Sequence, residues 1–167
     1  MRLSKVRAIA DKRSRGRAGR RPSRRAQLRP GLRILAGVLL FFYSAAVLYW
    51  MFLGFGRTVR TEGAMQYNLE PLRTVKLYFD MDNGVPFTGR LINLAGNIIV
   101  FIPFGVLIPL VQARLRNVFT LTLWAVPSIL LLETLQMLLR VGSFDVDDLL
   151  LNLTGVWAGL IILYRFT

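Results

Sequence analysis

Four stretches of this chain, 32–55, 91–111, 118–139 and 146–164, are each apolar over about the 20 residues that a helix needs to cross hydrocarbon. The first, "LRILAGVLLFFYSAAVLYWMFLGF", carries no charge after Arg33, and its Tyr49 and Trp50 suit a membrane interface. The others hold Pro103 and Pro109, then Pro127, which neighbouring helices in a bundle can accommodate. The expectation is an all-α membrane protein of four transmembrane helices, arranged as a compact bundle with short turns.

Charge sets the orientation. The formal net charge is +13, yet 54% of the residues are hydrophobic. Thirteen of the 22 Lys and Arg fall in residues 1–33, where Asp11 is the only acid, and the remainder of the chain is nearly neutral. Residues 1–31 therefore read as a disordered basic tail. No folded basic domain accompanies it, so a cytoplasmic flank touching anionic lipid headgroups is preferred to specific nucleic-acid binding. The positive-inside rule then gives an N-in/C-in topology for the membrane domain, 32–167. It puts the 56–90 connection outside and the "QARLRN" turn (112–117), with Arg114 and Arg116, inside. The connection is a candidate lid; its "DMDNG" (80–84) fails as a calcium loop, because the twelfth loop position is Leu91, and reads as a turn.

With that topology the polar residues of the last three spans fall in the outer leaflet. Asn93 and Asn97 are four apart; Glu133, Gln136 and Arg140 are three and four apart; so are Asp145, Asp148 and Asn152. Such spacings put each set along one side of a helix. Gly155 and Gly159 continue the last set as a small-residue stripe that permits close helix approach. Glu133 lies about 10 Å along the helix from Arg140, deep enough that it must pair, be protonated or face water. Arg140 and Arg90 are the nearby cations in sequence. Each set also has a plainer reading. Asp145 and Asp148 fit a helix N-cap and its N3 acid, and the asparagines fit interhelical hydrogen bonding. The convergence of three spans favours a site.

There is no Cys and no His, which removes thiolate and imidazole metal ligands and the usual general base. No cofactor is expected. If a metal bound at all, Asp145, Asp147 and Asp148 would be its ligands.

Four segments in this order, "NLEPLRT" (68–74), "NLAGNIIVFIPFGVLIP" (93–109), "ETLQMLLR" (133–140) and "DVDDLLLNLTG" (145–155), resemble the motifs of the VanZ-like family. The resemblance covers roughly residues 36–163, and Leu72 departs from the Phe usual in the first motif. It carries over Asn93, Asn97, Pro103, Gly105, Glu133, Gln136, Asp145, Asp147, Asp148, Asn152 and Gly155. It implies a multi-pass protein of the bacterial cytoplasmic membrane, in a family named for teicoplanin resistance. The leading expectation is a non-enzymatic envelope factor that binds an amphiphile, either a lipid-linked cell-wall precursor or a lipoglycopeptide. The alternatives are a carboxylate- or metal-dependent membrane enzyme and a small proton-coupled carrier with Glu133 as its relay. Nothing in the sequence specifies an oligomeric state.

Overall fold

A computed structural model describes residues 30–54, 58–80, 82, 84 and 86–166. The basic tail expected over 1–31 lies outside them except for Pro30 and Gly31, which open the first helix. The described residues form five α-helices: α1 (Pro30–Phe52), α2 (Arg73–Phe79), α3 (Phe87–Val111), α4 (Val118–Leu138) and α5 (Val146–Phe166). All but α2 are long and apolar enough to cross a membrane. Two short strands, β1 (Tyr67–Asn68) and β2 (Phe144–Asp145), pair in parallel, and a single 3-10 turn, Ala113–Leu115, links α3 to α4.

Local chemistry explains where the helices stop. The Asn117 side chain accepts from the Phe119 amide at 2.9 Å and so caps α4 at its start. At the far end of α4, Arg140 adopts a left-handed backbone with φ 58°. The Val141 amide then reaches the Gln136 carbonyl, and the Arg140 amide the Met137 carbonyl, both at 3.0 Å. This is the Schellman closure, here built on an arginine where glycine is usual.

The helices alternate in direction. Tyr43 of α1 donates to the Val100 carbonyl of α3 at 2.9 Å, while Gly37 sits against Val111, so α1 and α3 are antiparallel. Trp157 of α5 donates to Thr122 of α4 at 2.8 Å, and Asn152 of α5 shares a cavity wall with Glu133 of α4, again antiparallel. Gly155 of α5 abuts Ile98 of α3 and Gly159 abuts Ile102, so α3 and α5 run parallel.

Those two helices form the heart of the bundle. A Cβ added at Gly105 would lie 2.0 Å from the Val156 carbonyl oxygen, and one at Gly155 only 2.1 Å from that of Ile98. At Gly159 it would lie 2.1 Å from the Ile102 oxygen. Only a hydrogen fits at these places, so the backbones touch along the small-residue stripe. Pro103 lies inside α3 between these contacts, in a helix that continues to Val111. Around the seam pack Phe101, Ile108, Leu121, Ala125, Ile129, Leu153, Val156, Leu160 and Leu163. By contrast α1 buries only Ala36 and Val47 and exposes Leu35, Phe41 and Phe42, a face suited to lipid chains.

This arrangement sorts charge along the bundle. Every described acid lies in the 58–86 connection or at the end where α3 and α5 begin, whereas Arg33, Arg114, Arg116 and Arg165 lie at the opposite end.

Candidate functional site

Between the last turns of α1 and α4 and the first halves of α3 and α5 lies a cavity of about 500 Å³. Its polar wall is Asn93, Asn97, Glu133, Gln136, Asp148 and Asn152, with Val47, Trp50, Ile92, Val100 and Phe101 among its apolar residues. The polar residues come in helical pairs four, three and four apart, which is why one face of each helix supplies two of them. Asn152 lies about 9 Å from the start of α5 and Glu133 about 8 Å from the end of α4, so the polar wall reaches well below the helix ends.

The wall is held from several sides. Asn97 Nδ2 donates to Asp148 Oδ1 at 2.5 Å, joining α3 to α5. Gln136 Nε2 donates to the Met51 carbonyl at 2.9 Å, joining α4 to the last turn of α1. Glu133 is 3% exposed and Asn152 1%. Neither the oxygen nor the nitrogen of the Asn152 amide has a hydrogen-bond partner, and Asn93 Oδ1 also lacks one. A buried polar atom left unsatisfied costs roughly 1–3 kcal/mol, and the Asn152 amide stands in the cavity wall with its hydrogen-bonding capacity unmet within the protein.

The three aspartates, expected on one polar face, divide between two surroundings. Asp148 turns into the cavity, while Asp145 and Asp147 turn to the connection. Asp147, fully buried, accepts from the Leu72 amide at 2.5 Å, the Thr74 amide at 2.7 Å and the Val75 amide at 3.1 Å. It thereby caps α2, whose own N-cap, Leu72, has a left-handed backbone and no capping side chain. Asp145 accepts from Asn68 Nδ2 at 3.0 Å and from the Thr74 hydroxyl at 2.6 Å. It also accepts from the Asp147 amide at 2.9 Å, as the expected N-cap of α5. The spacing argument failed for Asp145 because that residue precedes the helix, where a three-residue step no longer returns to the same face. Among the described residues, no three carboxylates are gathered as a metal would require.

Arg140 is also displaced from its expected place. Since α4 ends at Leu138, Arg140 no longer follows Gln136 along the helix, and its guanidinium donates to the Gly63 carbonyl at 3.0 Å. Arg90, 4% exposed, donates to the Tyr78 and Asp80 carbonyls at 2.9 and 2.5 Å and so pins the end of α2. Neither arginine lines the cavity.

The connection is therefore bolted onto the end of the bundle beside the cavity. Burial first, and then the charges of Asp148 and Asp145, push the Tyr78 phenol above its ordinary pKa. Asp80 Oδ1 accepts from the Asp82 amide at 3.1 Å, the turn read from "DMDNG". Reading the sequence assigned no role to Thr74 or to Asn68, although both lie in "NLEPLRT". It also missed the share of the wall supplied by Val47, Trp50 and Met51 of α1, whose apolar run looks the same on every side.

A model of the VanZ/LLP1 family matches residues 39–167. No curated protein and no solved structure matches the chain. The matched region takes in every residue of the cavity wall, the glycine seam between α3 and α5, and the aspartates that hold the connection. It spans well over half of the sequence, and the chain is therefore a multi-pass membrane protein belonging to the VanZ/LLP1 family.

Proposed function

We propose that this protein is a binding factor of the bacterial cytoplasmic membrane, taking the polar head of an amphiphile into the Asn93–Asn152 cavity. The carrying observation is the cavity itself: six polar side chains from three helices face one space, beside apolar residues of α1 and α3. Such a surface suits a molecule with a polar head and an apolar chain. The basic segment before α1, together with Arg114 and Arg116, supports an orientation with those groups in the cytoplasm. The cavity then opens in the outer leaflet, within reach of lipid-linked cell-wall precursors and of lipoglycopeptides, and binding there would contribute to glycopeptide resistance. Binding is favoured over catalysis because Asp145 and Asp147 are engaged by the connecting segment.

The test is photo-crosslinking in membranes with a lipid analogue, comparing wild type with an Asn97→Ala, Glu133→Ala double variant. Stronger labelling of the wild type is expected, and equal labelling would defeat the reading. Deletion of the gene with wild-type or Asp148→Asn complementation, scored by glycopeptide susceptibility and precursor pool, tests the cellular role.

A further inference from the structure

A second hollow, of about 520 Å³, lies at the opposite end of the bundle from the polar cavity. Leu40 and Ser44 of α1, Phe104 and Ile108 of α3 and Trp124 of α4 form its walls, and Gln112 and Arg114 stand at its end. Ile108 and Phe104 lie about 5 and about 10 Å along α3 from its last residue, Val111. The apolar wall therefore runs roughly two helical turns down from a charged turn. Trp124 is 46% exposed, so the hollow is a groove open on the lipid-facing side of the spans.

Charge at this end selects the occupant. Arg114 is exposed. Arg116, on the same turn, donates from Nε to the Pro109 carbonyl at 3.2 Å, while its buried Nη2 has no hydrogen-bond partner. Among the described residues no acid lies at this end. The segment before α1 cannot complement it, because Asp11 is the only acid in residues 1–33. A second copy lying parallel in the same membrane would bring its own Arg114 and Arg116 to this depth and its acids to the far end. An anionic phospholipid supplies both missing parts. Its phosphate suits the arginine fork and the Gln112 amide, and its acyl chain suits the apolar wall. Basic pockets between membrane helices hold anionic lipids through this pairing.

We infer that the groove between α1, α3 and α4 holds an anionic phospholipid, with its phosphate at Gln112 and Arg114 and one acyl chain along Ile108 and Phe104. The site is separate from the polar cavity and does not rest on what that cavity binds. The chain would also fill the space between α1 and α4 at this level. In this way α1, which buries only Ala36 and Val47, gains a neighbour on its open side.

The experiment uses the full chain in phosphatidylcholine nanodiscs. The probes are phosphatidylglycerol and phosphatidylcholine, each brominated on its acyl chains to quench tryptophan fluorescence. Two single-tryptophan forms are read. One keeps Trp124 in the groove wall; the other keeps Trp157, which donates to Thr122 and so lies at a similar depth outside the groove. Brominated phosphatidylglycerol is expected to quench Trp124 at about fivefold lower mole fraction than brominated phosphatidylcholine, the scale of one interfacial cation. The preference at Trp157 should be smaller. Arg114→Gln is expected to reduce the Trp124 preference to the Trp157 level, whereas Arg33→Gln, at the same end of the bundle, leaves it in place. Ser44→Phe, which fills the groove, is expected to weaken quenching of Trp124 by both lipids. Equal quenching of Trp124 by the two lipids, or a preference untouched by Arg114→Gln, overturns the inference. Quenching of Trp124 by neither lipid also overturns it, and a dimer in native mass spectrometry would then assign the groove to a second copy. Should a single-tryptophan form fail to fold, native mass spectrometry of the wild type and Arg114→Gln, counting retained phosphatidylglycerol against phosphatidylcholine, gives the same comparison.

Discussion

The Asp147 carboxylate accepts from the Thr74 amide at 2.7 Å although 73 residues separate them in the chain. A side chain in the first turn of α5 thus completes the first turn of α2, a helix too short to be stable alone. The connection beside the cavity is therefore held in place by α5.

Replacing Asp147 by Ala removes the acceptor for three amides, at roughly 1–3 kcal/mol for each one left unsatisfied. The loss should be local. Hydrogen exchange and limited proteolysis are expected to rise across 58–80 while the protected cores of α3 and α5 change little. Uniform protection in the variant would show that the pairing contributes nothing to the connection.

Gly155→Ala tests the seam. The new Cβ would meet the Ile98 carbonyl oxygen at 2.1 Å, so α3 and α5 must separate. Overpacking of this kind costs about 1–3 kcal/mol, read as a lower melting temperature in detergent. Gly96, whose added Cβ meets nothing within 4 Å, is the control: Gly96→Ala should fold as well as wild type.

Asn152→Leu separates a structural amide from a binding one. The two side chains are close in size, and leucine has no polar atom to leave unsatisfied. Stability should hold or rise, with ligand binding lost. A marked fall in melting temperature would mean that the amide supports the fold.

Alkaline titration probes the contact between connection and bundle. Tyr78 has a raised pKa when folded, so its proton is held more tightly in the folded state. Its stabilising contribution is complete below the ordinary tyrosine value of 10.0 and is lost as pH climbs through the higher folded value. The ultraviolet difference titration between wild type and Tyr78→Phe should show ionisation above that ordinary value. Asp148→Asn should shift it part of the way down; no shift would remove Asp148 as a neighbour of the phenol.

Much of this architecture was legible because hydrocarbon is an unforgiving solvent. A run such as 118–139 must be helical to satisfy its own backbone, and glycines four apart on a helix share a face. For the same reason Asn93 with Asn97, and Asp148 with Asn152, could be assigned to common faces before any fold was known. The rule lapsed at helix ends. Asp145 and Arg140 sit one or two residues beyond α5 and α4, where periodicity no longer constrains direction. The engagement of Asp147 by Thr74 was hidden for another reason, since a contact across 73 residues leaves no mark in local spacing.

The spans, the segregation of basic residues from the polar faces, and the glycine stripe can be read from the order of residues, because each follows from helical period and from the cost of polar groups in lipid. The tertiary structure alone decided that Asp148 faces the cavity while Asp145 and Asp147 face the connection, and that the Asn152 amide is buried with its hydrogen bonds unmade. Direction beyond a helix end, and the meeting of distant side chains, depend on how helices pack, which no local pattern encodes.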